Sequence, residues 1–306
     1  MKEYVVGNNV SVLDASELSL LEINKLVIPK NVVSIKGSFS LVNGLERVYY
    51  EGNILDWCMI DFECDYSNPA TTNACVYISG EILEKIEINV KELKKYTFSG
   101  FSSLKEVVIG KEVESIPPSS FNKCVNLSKF ICDESDYFSV VDDCLYSKDM
   151  KRLYKFPPAK MSTSFSVSNC YILPYAFADV SYLKELEIVG IETIGPYALA
   201  YATSIEKVVM SDDVIEIGNA AFYMMDNLIN VRISDNLKII RTFGFMGCLK
   251  LEHIYLPETI ALLEKCAFKY NPLLKIHFEY ERLMFTDNQS WNHDNSEIIF
   301  KFARRK

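Results

Sequence analysis

The residues best suited to metal or acid–base chemistry in this chain are its three histidines, and two of them, His253 and His277, stand 24 positions apart. Two imidazoles need a third ligand to close a zinc site, and Glu279 is the nearest candidate. The blander expectation is a solvated, offset pair with no metal. His293 has no partner in its neighbourhood. Asp61, Glu63 and Asp65 alternate as oxygen donors would, yet they lack the glycine and distal glutamate of a calcium loop. They are read as a solvated edge, as are Asp142 and Asp143. Glu185 with Glu187 is the nearest approach to a paired-carboxylate site. No glycine-rich phosphate loop, G-x-S-x-G or H-E-x-x-H occurs. The expectation is therefore a non-enzymatic protein without catalytic residues, cofactor or metal.

Composition points towards a scaffold. At 306 residues and 49% hydrophobic, the chain exceeds the length at which one globular core usually stops growing. A solenoid escapes that limit by growing along one axis. The formal charge of -9 argues against nucleic acid or an anionic membrane as partner. No run of about 18 apolar residues exists, so membrane insertion is not expected. The N-terminal stretch does not read as a signal peptide, which leaves a cytoplasmic chain or one whose leader has been removed. Nine cysteines without a C-x-x-C pair are neither a zinc nor a disulfide framework. Cys124 and Cys248 each follow an apolar anchor by three residues, where other repeats carry Phe101, Val180, Ala202 and Met225. These thiols are expected as small buried hydrophobes.

What positions every one of these groups is a repeat. Phe177, Leu199, Phe222, Phe245 and Phe268 lie 22, 23, 23 and 23 residues apart. From each anchor, apolar residues recur at +6, +9 and +11, then near +15 and +18: Leu228, Val231, Ile233, Leu237 and Ile240 follow Phe222. Leu104, Val107, Ile109, Val113 and Ile116 follow Phe98 in the same way. The +9/+11 alternation in β-branched residues predicts a short strand, the anchor a helical or 3₁₀ turn, and +15 to +18 a second extended edge. No coil can bury its inward residues alone, so the coils must stack.

Residues 1–22 are expected as an N-terminal cap, before a first coil with Ile23, Leu26, Ile28, Val32 and Ile35 that leads to the anchor Phe39. The period breaks at 51–80, read as an excursion with a short helix through Ile54 and Trp57 and a turn at Ser67–Pro69. A second excursion at 133–164 is read as a β-hairpin turning at Ser147–Met150. After Phe268 the schedule slips by one, to Leu273, Ile276 and Phe278. Ile298 and Phe300 would form a last strand behind Trp291, within a C-terminal cap at 279–306.

The form "AF..C..L..I.IP..V..IG..AF" closely resembles the BspA-like leucine-rich repeat of bacterial surface proteins. Phe121, Cys124, Leu127 and Phe130 fit it, as do Phe245, Cys248, Leu251, Ile254, Leu256 and Pro257. Ile194–Gly195 and Ile217–Gly218 supply the "IG". Both excursions also resemble variants met in that family. The predicted fold is an α/β repeat solenoid of leucine-rich-repeat type, with 1–306 as one domain. It would be a right-handed coil of about 13 turns, with one continuous parallel β-sheet on the concave face and short helical or 3₁₀ turns on the other. The resemblance implies secretion or cell-surface anchoring and a role in adhesion or host-protein binding.

In each strand +8 and +10 face outward. The +8 line reads mostly basic: Lys25, Arg47, Lys85, Glu106, Lys129, Glu185, Lys207, Asn230, His253 and Lys275. The +10 line carries apolar and aromatic residues where solvent would favour charge. Aromatics and Arg are the types that anchor interfaces. The candidate partner-binding residues are Tyr49, Val108, Ile131, Lys207, Val209, Arg232, His253, Tyr255 and His277. The expected partner is a protein bound by a monomer. A glycan is the alternative, placed lower because only the distant Tyr49 and Tyr255 offer aromatic platforms.

Overall fold

Period-two alternation in short β-branched segments becomes, in the computed structural model, a succession of coils, about 13 in all. The structure describes residues 2–280, 290–292 and 296–300. His293 lies outside the described residues. The chain divides into two compact units, Met1–Lys148 with Pro157–Ala159, and Asp149–Phe156 with Lys160–Lys306.

In the first unit, strands Glu3–Val5, Lys25–Ile28, Arg47–Tyr50 and Cys75–Ile78 pair in parallel. The antiparallel strand Glu81–Ile82 closes this sheet through a tight turn at Ser79–Gly80, both at positive φ. A separate parallel sheet joins Lys85–Ile88, Glu106–Ile109 and Lys129–Ile131. Residues 2–22, expected as a cap, make a coil of their own: Glu3 pairs with Lys25 and Val12 with Ser34. Residues 51–80 also form a coil. The helix Ile54–Cys58 is held by a capping box between Asn53 and Asp56. Beyond it, Asp61–Phe62 joins the second edge and Cys75–Ile78 the front. The expected turn at Ser67–Pro69 links two 3₁₀ turns, Asp65–Ser67 and Pro69–Thr72. The expected turn at Ser147–Met150 separates the strands Cys144–Ser147 and Arg152–Lys155, and a further antiparallel strand, Phe138–Val141, pairs with Cys144–Ser147 through a left-handed turn at Asp142–Asp143.

In the second unit the front strands Ser164–Ser168, Glu185–Val189, Lys207–Met210 and Asn230–Arg232 form one parallel sheet. His253–Leu256, Lys275–Phe278 and Glu297–Ile299 form another. The last strand lies where it was expected, with Ile276 opposite Ile298 and Trp291 buried. Front pairing is thus segmented, where one continuous sheet was expected. The second edge is unbroken from Thr193–Ile194 through Glu216–Ile217 and Ile239–Ile240 to Leu262–Leu263. The one-residue slip falls after Leu274, which is buried, whereas Leu273 is exposed.

The anchors are buried: Phe98 lies over Phe121, and Phe222 over Phe245 at 4.5 Å between ring centroids. In the first unit the anchor segments include 3₁₀ turns, Phe39–Leu41 and Pro118–Phe121. In the second unit the expected helical turn is replaced. Each anchor from Phe177 to Phe268 is bracketed by left-handed residues two before and two after, such as Ala220 and Met224 around Phe222. A left-handed non-glycine residue costs about 1–2 kcal/mol. The conformation turns successive N–H groups along the stack: those of Leu199, Phe222 and Phe245 donate to Ala221, Gly244 and Ala267 of the next coil at 2.8–2.9 Å. The +3 column adds further bonds. The Cys248 thiol donates to the Phe222 carbonyl at 3.2 Å, and Asn271 Nδ2 to the Phe245 carbonyl at 2.8 Å. Phe156, buried and stacked on Phe177 at 5.6 Å, serves as an anchor the period did not find. Beside it, buried Lys155 donates from Nζ to the carbonyls of Tyr175 and Ala178 at 2.9 and 3.1 Å.

Candidate partner-binding face

The alternation fixes what faces out. In Lys207–Met210, Val208 and Met210 are buried while Lys207 and Val209 are half-exposed, and His253–Leu256 repeats the pattern. The +8 line is not a free basic row. Glu3 pairs with Lys25, Glu106 bridges Lys85 and Lys129, Glu185 pairs with Lys207, and Glu297 with Lys275. Its charges largely cancel from coil to coil.

Tyr49, Val108 and Ile131 belong to the first unit. Val108 stands opposite Ile131 in register, and both are half-buried. Tyr49 stacks on Tyr77 at 4.5 Å and 10° between planes, with Lys25 Nζ 4.9 Å from its ring centre. Tyr77 was missed because its coil was read as an excursion, although "CVYI" repeats the alternation of "RVYY". Val5, Val27, Tyr49, Tyr77 and Ile82 form one apolar row across this sheet.

The other six residues belong to the second unit, and the structure brings them together. Lys207, Val209, Arg232, His253 and Tyr255 line a hollow of about 420 Å³ with Ile229, Asn230 and Glu252. It lies where front pairing lapses between Asn230–Arg232 and His253–Leu256 while the second edge behind stays paired. A neighbouring hollow of about 450 Å³ shares Lys207 and Val209 and reaches Glu185 and Glu187. Arg232 is held at the rim: it donates to the Met210 carbonyl and to Asp212 at 3.1 Å.

His277 is not the solvated residue expected. It is buried at 9% exposure, stacked on Tyr255 at 4.4 Å, with Nε2 3.0 Å from Nδ1 of His253. Burial first, then the neighbouring His253 and Lys275, push its imidazole below the ordinary histidine range, with Glu297 opposing. Glu279 accepts from the Glu258 N–H at 3.2 Å. Among the described residues, no three metal-ligating side chains cluster.

Asp65 is likewise no solvated edge, since it accepts from Ser99 and pairs with Lys123 at 2.6 Å. Glu63 accepts from the Gly37 N–H at 2.8 Å. Six cysteines are buried, Cys64 and Cys132 are intermediate and Cys75 is exposed. Burial pushes the Cys58 and Cys248 thiols up to about 12, so neither supplies a thiolate near neutrality.

The family model of the BspA type leucine rich repeat region matches residues 73–171 and 151–275, in six copies. Comparison with the curated proteins finds no match. Among solved structures, the chain is similar to the pneumococcal vaccine antigen PcpA at 19% identity, covering 92% of this chain and 80% of that one, with a TM-score of 0.59. A leucine-rich repeat protein from Eubacterium ventriosum gives 20% identity, 94% and 86% coverage, and a TM-score of 0.51. A leucine rich cell surface protein from Faecalibacterium prausnitzii gives 19%, 99%, 88% and 0.51. At these identities the likeness is one of fold.

Proposed function

The chain belongs to the BspA-type leucine-rich repeat family, and from that premise we propose that it is a non-catalytic recognition protein of the cell surface that binds another protein through the outward sheet face of its second unit. The observation that carries this reading is the hollow at the lapse in front pairing. It gathers apolar Val209 and Ile229, aromatic Tyr255 and the charged Lys207, Arg232 and Glu252. Aromatic residues and Arg are the types enriched at protein interfaces. The ion pairs at the rim favour register and specificity over raw affinity. Repeat proteins of this kind serve in general as interaction scaffolds, which supports the same reading.

The test is capture of a surface protein by the full chain and by a Val209→Asp, Tyr255→Ala variant. Both substitutions lie on the outward column, so the chain should stay folded, with a melting temperature lowered by the lost Tyr255–His277 stacking, while capture falls at least tenfold. Undiminished capture by the variant would overturn the reading.

A carbohydrate partner is favoured by one observation, the Tyr49–Tyr77 pair on the first unit. The two rings stack on each other and Lys25 lies over Tyr49, which leaves less open ring face for a sugar, so this reading ranks second. Glycan binding that Tyr77→Ala abolishes would raise it above the first.

A further inference from the structure

We propose that His253 and His277 form an open two-imidazole site for a divalent transition-metal ion of the Zn2+ class. His277 lies in register opposite Tyr255, and His253 precedes Tyr255 by two residues on the same face. The imidazoles are therefore diagonal neighbours across adjacent strands, a separation long side chains can span. Nδ1 of His253 and Nε2 of His277 are 3.0 Å apart. A single hydrogen fits between two ring nitrogens at that distance. Two imidazole nitrogens at about 2.0–2.1 Å from a tetrahedral zinc stand about 3.3 Å apart. Exchange of the shared hydrogen for the ion thus needs a few tenths of an ångström and a rotation of His253, whose side chain is exposed.

His277 has less freedom, and this helps the site. Tyr255 stacks on its ring at 4.4 Å and holds the plane of the imidazole. His253 lines the hollow, with Glu252 beside it. With two protein ligands, one fewer than the three of a catalytic zinc site, the remaining coordination positions are left to water or to a donor on a bound molecule. With two protein ligands the ion contributes little to folding, unlike a closed structural zinc. The inference rests on the geometry of the pair and not on the partner-binding reading, because the ion would bind the chain alone.

Exposed Cys75 is a competing ligand, so the test starts from the full chain carrying Cys75→Ser. Zn2+ alone is titrated calorimetrically into this protein and into its His253→Gln and His277→Gln derivatives, and the imidazole nitrogens are followed by NMR. The expected result is one Zn2+ per chain, displacement of the resonances of both imidazoles, and at least a tenfold loss of affinity in either derivative. No uptake, uptake unchanged by the substitutions, or loss in only one derivative would overturn the site. His253→Gln alters an exposed side chain, so its outcome stays readable if His277→Gln disturbs packing. Partner capture by zinc-free protein is read separately, so the two proposals fail independently.

Discussion

The coils from Leu199 to Phe268 have two sides that obey different rules. On the anchor side every coil repeats the last: buried anchors, left-handed residues at fixed offsets, and N–H groups handed to the next coil. On the front, the same coils carry Val209, Arg232, Tyr255 and His277 in one column, and strand pairing lapses between Arg232 and His253. Repetition therefore marks what holds the stack together. The positions proposed to meet a partner are those the repeat leaves unconstrained.

Substitutions on the anchor side should cost stability without being specific to binding. Phe222→Ala removes a ring stacked at 4.5 Å on Phe245, with a loss of about 3–5 kcal/mol in chemical denaturation. A loss under about 1 kcal/mol would mean that the coils do not depend on their anchors. Lys155→Met leaves the Tyr175 and Ala178 carbonyls without their charged donor and should cost about 2 kcal/mol in the same assay. Ala220→Gly relaxes a left-handed residue at φ 52° and should raise stability by up to about 1 kcal/mol.

The smallest effect is set by pH. Burial raises the Glu264 carboxyl, but hydrogen bonds from Arg241 and Thr242 outweigh it and hold the group below its ordinary 4.5. A depressed carboxylate contributes stability that is present above the unfolded value and lost as pH falls through the folded one. Glu264→Gln should therefore lower stability at neutral pH and flatten its decline below about pH 4.5. An unchanged acid limb of the melting profile would contradict that.

Much of this division was legible in residue types alone. The +9/+11 alternation gave the strands, because a half-buried strand has no other economical pattern. Phe156 and Tyr77 escaped because both lie in coils whose length departs from 23, and position counting fails at the first insertion. The +3 column was read as apolar filler, yet Cys248 and Asn271 occupy it as hydrogen-bond donors to the preceding anchor. Spacing could not reveal that function, since a thiol and an amide share it without sharing hydrophobicity. The candidate site was legible as a set of outward residues. Its assembly was not, because a lapse in pairing between two strands leaves no mark in the type of any one residue.

Amide hydrogen exchange of the full chain, with and without its captured protein, tests the central claim most directly. Protection reports local opening segment by segment. The account predicts slow exchange through the anchor turns at Phe222 and Phe245, and faster exchange in Asn230–Arg232 and His253–Leu256. Partner-induced protection should be confined to those front segments and Lys207–Met210. Equal protection of the two sides in the free chain, or partner-induced protection on the anchor side, would contradict it.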